Sequence, residues 1–133
     1  MNSCALVSNS KTALDEDTRF LLGEKFTELF TELIDKQGYC FFYFGGIGQI
    51  DELARIKLFP FREKYKHIQQ FWTWRGSNPK KILTLDERLK NHYTFIIEQS
   101  DLIVFLSNPN NENLMLYCYE LAKNLRKKII ILQ

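Results

Sequence analysis

The sequence has little of what marks several common protein classes. Its three cysteines, Cys4, Cys40 and Cys118, form no CxxC pair, so neither a disulfide framework nor a cysteine metal site is supported. No apolar run reaches the ~18 residues that cross a bilayer, and the N-terminus lacks a basic start followed by a long apolar core. We therefore expect a cytoplasmic protein with reduced thiols, no membrane partner, no metal and no other cofactor.

The net charge is also small. The chain has 18 Lys and Arg against 16 Asp and Glu, a formal charge of +2, which gives no electrostatic reason to bind nucleic acid. Each of the two histidines, His67 and His92, stands alone in the sequence, which argues against a metal site or a catalytic triad. We expect no nucleic-acid partner. At 133 residues, without repeats or low-complexity segments, the chain is predicted to form one domain.

Strand and helix patterns alternate along the whole chain. Apolar runs predict strands, and apolar residues at helical spacing predict the helices between them. The predicted strands are Cys4–Ser8, Tyr39–Phe44, Ile68–Trp74, Leu102–Leu106 and Ile129–Leu132. The order predicts an α/β, three-layer Rossmann-like fold, in which a five-stranded parallel sheet of order 3-2-1-4-5 carries helices on both faces. Pro60 is expected to kink or split the second helix.

The most informative segment is the predicted second strand and the turn after it. Tyr39–Phe44 is apolar at every position, which is typical of a strand buried on both faces. Gly45, Gly46 and Gly48 follow, and glycines permit a tight turn and a close approach to a ligand. The helix behind them offers free N–H groups and the positive end of its dipole. We predict that this turn holds phosphate or another anion, although such turns also serve packing alone.

A second set of candidates follows strands one and four. In parallel sheets ligands bind outside the carboxyl ends of the strands, where the strand order reverses, and here that point lies between these two strands. The polar segment Ser8–Lys11 follows the first strand, and Ser107–Asn111 follows the fourth. Within them the predicted contacts are Ser8, Asn9, Ser107 and Asn108. These side chains suit the sugar or base of a nucleotide. The same residue types are also common turn formers, so both interpretations stay open.

Four segments in this order resemble one known superfamily. They are FYFGGIGQIDELA, LFPFREKYKHI, KNHYTFIIEQSDLIVFL and ELAKNLRKKIIIL. Nearly the whole chain is similar to the YpsA-like branch of the SLOG superfamily, which also includes the LOG and DprA/SMF proteins. Gly45, Gly46, Gly48 and Asp51 match its glycine–aspartate motif, and Asn91 matches a later one. The resemblance implies a ligand derived from a nucleotide, held over the strand ends, with Asn91 reaching it from the third helix.

The chain also departs from that family. The Gly-His-Arg turn after the first strand is replaced by Ser8–Lys11, and the Gly-Gly-Thr-like turn after the fourth strand is replaced by Asn110–Asn113. Without glycines there, the backbone approaches an anion less closely, and Glu112 would repel phosphate. These differences indicate a different or less anionic ligand.

Enzymatic activity has one candidate motif. GGIGQIDE resembles the GGxGTxxE motif of LOG phosphoribohydrolases, with Glu52, or its neighbour Asp51, as the acidic group that cleaves an N-glycosidic bond. Gln49 replaces the Thr, however, and the motif follows strand two rather than strand four. In the related nucleoside 2-deoxyribosyltransferases, the nucleophilic Glu corresponds to Cys118 here, so no nucleophile is in place.

We therefore expect a module that binds a nucleotide or nucleotide-derived molecule, as a sensor or by sequestering it, without turnover. The alternative is an N-glycosidic bond-cleaving enzyme. Trp72, Trp74, Arg75, Lys80 and Lys81 form either a phosphate-binding lid or an ordinary solvated loop. The many aromatic residues, 11 Phe and 6 Tyr, are consistent with a homodimer face on the helices.

Overall fold

The computed structural model describes residues 2–72, 84–109 and 112–132. They form a five-stranded parallel sheet of order β3-β2-β1-β4-β5, which confirms the predicted order. The strands are β1 (Ser3–Val7), β2 (Phe41–Phe44), β3 (Gln69–Phe71), β4 (Leu102–Phe105) and β5 (Lys128–Ile131). The helices are α1 (Glu16–Phe30), which continues as π-helix over Thr31–Lys36, α2 (Gln49–Lys64), α3 (Leu85–Gln99) and α4 (Asn113–Asn124).

The sheet separates two hydrophobic clusters. On one side α1 and α2 pack against alternate residues of the central strands, with Phe26, Phe30 and Phe42 fully buried. On the other side α3 and α4 pack against the intervening residues, with Tyr93 and Ile97 fully buried. The central strands β1 and β4 are buried at every position, as expected when helices cover both faces of a parallel sheet.

The register of the sheet sets the position of the site. Val7 of β1 pairs with Phe105 of β4, and Leu6 pairs with Phe44 of β2. The three central strands therefore end at the same edge of the sheet, and the segments that begin at Ser8, Gly45 and Leu106 leave that edge side by side.

Burial of β2 differs from the prediction. Phe42 and Phe44 are fully buried, whereas Phe41 and Tyr43 on the other face are only partly buried. Tyr43 lies at the margin of the second cluster, and its ring stacks on Phe71 of β3 with centroids 5.1 Å apart. Within the described residues, the second face of β2 is thus partly covered, by the ring of Phe71 and by the margin of the second cluster.

Pro60 was expected to kink or split the second helix. The split is wrong, because α2 runs without interruption from Gln49 to Lys64, and the kink stays a prediction. Proline cannot donate to the carbonyl of Ile56, one turn earlier. Both residues are exposed, with Ile56 at 52%, so water can solvate that carbonyl. Strand β3 is also shorter than predicted, since it ends at Phe71 and Trp72 lies beyond it. Trp74 lies outside the described residues.

Candidate functional site

A polar cavity of about 400 Å³ opens at the carboxyl ends of β1 and β2. One wall is the loop after β1, and the opposite wall is the glycine turn that leads into α2. Two charged residues of α2, Glu52 and Arg55, complete the lining. The loop contributes Ser10, Lys11, Thr12 and Ala13, and the turn contributes Gly46, Ile47, Gly48 and Gln49.

The two walls are in direct backbone contact at Gly48. A Cβ atom at this position would lie 2.8 Å from the Cα of Ser10, closer than two such atoms approach. Gly48 also has a φ of 101°, and Gly46 has a φ of 84°, a region that residues with side chains rarely adopt. The side chain of Gln49 adds a polar link, because its Oε1 accepts a hydrogen bond from the Leu14 N–H at 2.8 Å.

Asp51 holds the glycine turn from inside the protein. Its side chain is fully buried, and its carboxylate accepts hydrogen bonds from the N–H groups of Gly45 at 2.9 Å and Gly46 at 3.1 Å. Arg55 donates a third bond through Nε at 2.9 Å. Burial raises the pKa of the Asp51 carboxyl, while Arg55 and the glycine N–H groups oppose that rise. The aspartate of the sequence motif therefore occupies the N–H groups that the first two glycines would otherwise offer to an anion.

Tyr93 and His92 of α3 form hydrogen bonds at the ends of β1 and β2. A Cβ atom on Gly45 would lie only 2.4 Å from the Tyr93 hydroxyl. That hydroxyl donates a hydrogen bond to the Ser8 carbonyl at 3.1 Å. Burial raises the pKa of this tyrosine. His92 is also buried, and its Nε2 is 2.6 Å from the Phe44 carbonyl. Since a carbonyl only accepts, that nitrogen carries a proton. Gly45 is thus a packing position rather than a cavity wall.

The start of α2 has no side-chain cap. Gly48 is its N-cap residue, whereas Asp15 caps α1 and Thr84 caps α3 through side-chain oxygens. Within the described residues, the N–H groups of Gln49 and Ile50 have no hydrogen-bond partner. These groups and the helix dipole leave a positive end at the cavity. Lys11 adds a full positive charge to the lining, and Glu52 adds a negative one.

The structure distributes the predicted site residues over three positions. Gly46, Gly48 and Glu52 line the cavity, whereas Gly45 and Asp51 support its wall from behind. Ser8 and Ser107 lie just past β1 and β4, and each has a buried Oγ without a hydrogen-bond partner in the described chain. Asn9 accepts from the Lys11 N–H at 2.8 Å, Asn108 is exposed and Asn91 is partly buried on α3. Neither Asn91 nor Asn108 lines this cavity.

Sequence reasoning included Ser10 and Lys11 in the polar segment after the first strand, but it did not single out Thr12, Ala13 or Arg55 of the lining. Lys11 also lines a neighbouring cavity of about 370 Å³ beside Lys90 of α3 and Tyr117 of α4. The spacing of Asp51 and Arg55 by four residues is a recognisable helical ion pair, and it would have signalled that the aspartate is already engaged. The positions of Thr12 and Ala13 have no comparable signal, because they depend on how the loop after β1 folds against Gly48.

Three further expectations concerned the proposed lid, metal binding and the membrane. The proposed lid residues Trp74, Arg75, Lys80 and Lys81 lie outside the described residues, while Trp72 is half exposed with Arg55 stacked 5.4 Å from its ring centroid. Among residues 2–72, 84–109 and 112–132, no group of three or more His, Cys, Asp or Glu side chains is placed to hold a metal ion. No helix in the same ranges is long and apolar enough to cross a membrane.

Comparison with known proteins shows the fold. No family model matches the chain, and no curated protein is similar to it. The X-ray structure of TM1055, a structural-genomics target, has a TM-score of 0.60 at 17% identity, covering 97% of this chain and 72% of that one. DNA processing protein A from Helicobacter pylori has a TM-score of 0.62 at 14% identity, covering 99% of this chain and 65% of that one.

The chain has the Rossmann-like fold of these proteins. DprA proteins belong to the SLOG superfamily that the sequence resembles, so the structural similarity agrees with that resemblance at the level of the fold. The YpsA-like branch remains a prediction. The H. pylori structure concerns the binding of single-stranded DNA. The net charge led us to expect no nucleic-acid partner, and the comparison does not support that expectation.

Proposed function

We propose that this protein binds a nucleotide or a nucleotide-derived small molecule, as a sensor or sequestering module without turnover. The observation that carries the proposal is the cavity between Ser10–Ala13 and Gly46–Gln49, into which the uncapped start of α2 and Lys11 bring positive charge. A phosphate is stabilised at such a helix start by N–H donors and by the dipole. The position at the strand ends of a Rossmann-like sheet supports the same class of ligand.

The lining suggests how the parts of the ligand are arranged. Lys11 and the N–H groups of Gln49 and Ile50 suit the anionic group. Glu52 is an acceptor on the same helix, one turn further from its start, and suits a ribose hydroxyl. Because Asp51 already uses the N–H groups of Gly45 and Gly46, the phosphate has fewer donors here than in a fully open glycine loop, and we expect moderate affinity.

The position of Glu52 favours the enzymatic alternative, N-glycosidic bond cleavage. Of the two acidic candidates, Glu52 lines the cavity and is exposed, whereas Asp51 is buried and engaged by three donors. If an N-glycosidic bond is cleaved, Glu52 is the acidic group that reaches the substrate. Within the described residues, no second acidic side chain lines the same cavity.

The proposal is tested by calorimetric titration with adenosine, AMP, ADP, cyclic AMP and the corresponding guanine compounds. We expect at least one nucleotide to bind and its nucleoside to bind at least about tenfold more weakly, since tenfold corresponds to ~1.4 kcal/mol of phosphate contacts. Lys11→Ala should weaken binding, and Lys36→Ala, which removes an exposed lysine outside the cavity, should not. Mass spectrometry of denatured purified protein checks for a co-purified ligand.

Three results decide between the alternatives. The absence of binding by every nucleotide, together with no co-purified ligand, refutes the proposal. Free base that accumulates with the wild type and disappears with Glu52→Gln establishes the enzymatic alternative instead. A short single-stranded oligonucleotide that binds more tightly than any mononucleotide, with the same dependence on Lys11, indicates a nucleic-acid ligand.

A further inference from the structure

A second concave surface lies away from the strand ends, between the outer faces of α1 and α2. This α1–α2 groove has a volume of about 410 Å³ and is lined by Glu16, Arg19, Phe20, Glu24, Leu53, Ile56 and Lys57. Phe20 is 66% exposed and Ile56 is 52% exposed. Leu21 and Phe59 are also exposed on the same two helices. Large apolar side chains concentrated in this way are typical of a surface that is covered by a partner.

The charges around the groove are balanced. Two acidic residues, Glu16 and Glu24, and two basic residues, Arg19 and Lys57, border the apolar centre. Within the described residues none of the four forms an ion pair. Equal numbers of both signs allow each charge to meet an opposite charge on a second copy of the same surface, as a two-fold symmetric interface requires.

We propose that the α1–α2 groove is occupied by the same groove of a second copy of this chain. The proposal is independent of the nucleotide site. Helix α1 connects β1 to β2 and helix α2 connects β2 to β3, so the two helices run in the same direction. Gly23 of α1 lies against the side chain of Lys57 of α2. Glu24 is therefore at the same height along the groove as Lys57.

That relation selects one direction for the symmetry axis. A two-fold axis along the groove places α1 of one copy over α2 of the other, so that Glu24 faces Lys57 of the second copy. An axis across the groove would place α1 over α1 and bring Glu16 of one copy towards Glu24 of the other, which is repulsive. The first arrangement pairs opposite charges around the joined apolar centre of Phe20 and Ile56.

The test measures molecular mass by light scattering and by sedimentation, with the full-length protein at micromolar concentration. The wild type should have twice the 15.8 kDa mass of the chain. Phe20→Glu, Glu24→Lys and Lys57→Glu should each raise the dissociation constant at least about tenfold. Leu116→Glu, at a 41% exposed position of α4, is the control and should leave the mass unchanged. Far-UV circular dichroism confirms that each variant is folded.

A mixing experiment separates self-association from binding of another partner. The Glu24→Lys copy has lysine at both positions, and the Lys57→Glu copy has glutamate at both. An equimolar mixture should therefore restore the dimer, because each contact then joins opposite charges. A monomeric wild type, a mixture that stays monomeric, or a dimer that Leu116→Glu disrupts and Phe20→Glu leaves intact would each overturn the proposal.

Discussion

At the scale of single residues, the decisive finding concerns Asp51. Its place in the glycine–aspartate motif predicted a ligand contact, but its carboxylate faces inwards and accepts hydrogen bonds from Gly45, Gly46 and Arg55. Its neighbour Glu52, one position later on the helix, faces the cavity. Adjacent helical residues point about 100° apart, so one lies on the buried side of α2 and the other on the exposed side.

Asp51→Asn should lower the free energy of unfolding by about 1 to 3 kcal/mol. The amide keeps one acceptor oxygen, but its N–H₂ group would face either the Gly45 N–H or both the Gly46 N–H and Arg55 Nε, and would leave those donors unsatisfied. Glu52→Gln, one residue away and exposed, is the matched control and should change it by less than about 0.5 kcal/mol. Urea denaturation at neutral pH measures both variants. Equal effects of the two substitutions would contradict the assigned role of Asp51.

At the scale of elements, the ends and interruptions of helices decide how the site is built. Helices α1 and α3 have side-chain caps at Asp15 and Thr84, which satisfy N–H groups and stabilise the helix starts. Helix α2 starts at Gly48 without such a cap, at the cavity. The same helix tolerates Pro60 at an exposed position of its fourth turn. Helix α2 therefore lacks a side-chain cap at the cavity and lacks one backbone hydrogen bond at its solvent-exposed proline.

Pro60→Ala should raise the free energy of unfolding by about 1 to 2 kcal/mol. Alanine restores an N–H to the carbonyl of Ile56 and has a helix propensity about 3 kcal/mol better than proline, while the loss of the rigid ring from the unfolded chain offsets part of the gain. Arg62→Ala, on the same helix, should stay within about 0.5 kcal/mol of the wild type. A destabilised Pro60→Ala variant would show that the ring makes a packing contact that the helix needs.

The cap of α1 gives a prediction on pH. The Thr18 N–H donates to Asp15 at 2.7 Å, and this bond lowers the pKa of the carboxyl. A lowered folded-state pKa means that the carboxylate stabilises the fold above the unfolded pKa of about 3.9 and that this contribution is lost as pH falls through the folded value. Asp15→Asn keeps a cap that does not titrate. The stability difference between wild type and variant should therefore shrink on acidification, and a constant difference in urea titrations would refute this.

At the scale of the whole molecule, one sheet joins two hydrophobic clusters. Residues that alternate along β1 and β4 belong to opposite clusters, as Leu6 and Val7 do. Neither helix layer has a core without the sheet, so neither is expected to be stable alone. Residues 2–72, 84–109 and 112–132 are therefore predicted to unfold as one cooperative unit.

Phe30→Ala on the α1 side and Ile96→Ala on the α3 side should each lower the free energy of unfolding by about 2 to 5 kcal/mol, since both residues are fully or almost fully buried. Far-UV and near-UV circular dichroism should report the same midpoint for each variant. Leu116→Ala, at an exposed position, should have a much smaller effect. Separate midpoints for the two signals would show that one helix layer unfolds before the other.

The fold was predictable from the sequence because its signals are local and consistent. Apolar runs such as Leu102–Phe105 and helical spacing such as that of Leu89, Tyr93 and Ile96 reflect burial within one element. The burial of β2 was less predictable, because an aromatic strand is apolar at every position whether a helix or another ring covers it. Phe41 and Tyr43 are covered by Phe71, a contact that joins two strands.

The sequence indicated the edge of the sheet at which the cavity opens but not the whole of its lining. Gly48 was identified because its conformation is a property of a single residue. Thr12 and Ala13 were missed, since their place in the cavity depends on the contact between Ser10 and Gly48 across two connecting segments. The role of Asp51 depends in the same way on the direction in which α2 faces.

The sequence by itself determined the alternation of strands and helices, the two-sided burial of β4, and the glycine turn at the sheet edge. Each of these follows from residue type and spacing within a short segment. Only the tertiary structure decided which acidic residue faces the cavity, which loop forms its second wall and which helix faces stay uncovered. Those features depend on how separate elements pack, and packing orients side chains through contacts that no single segment contains.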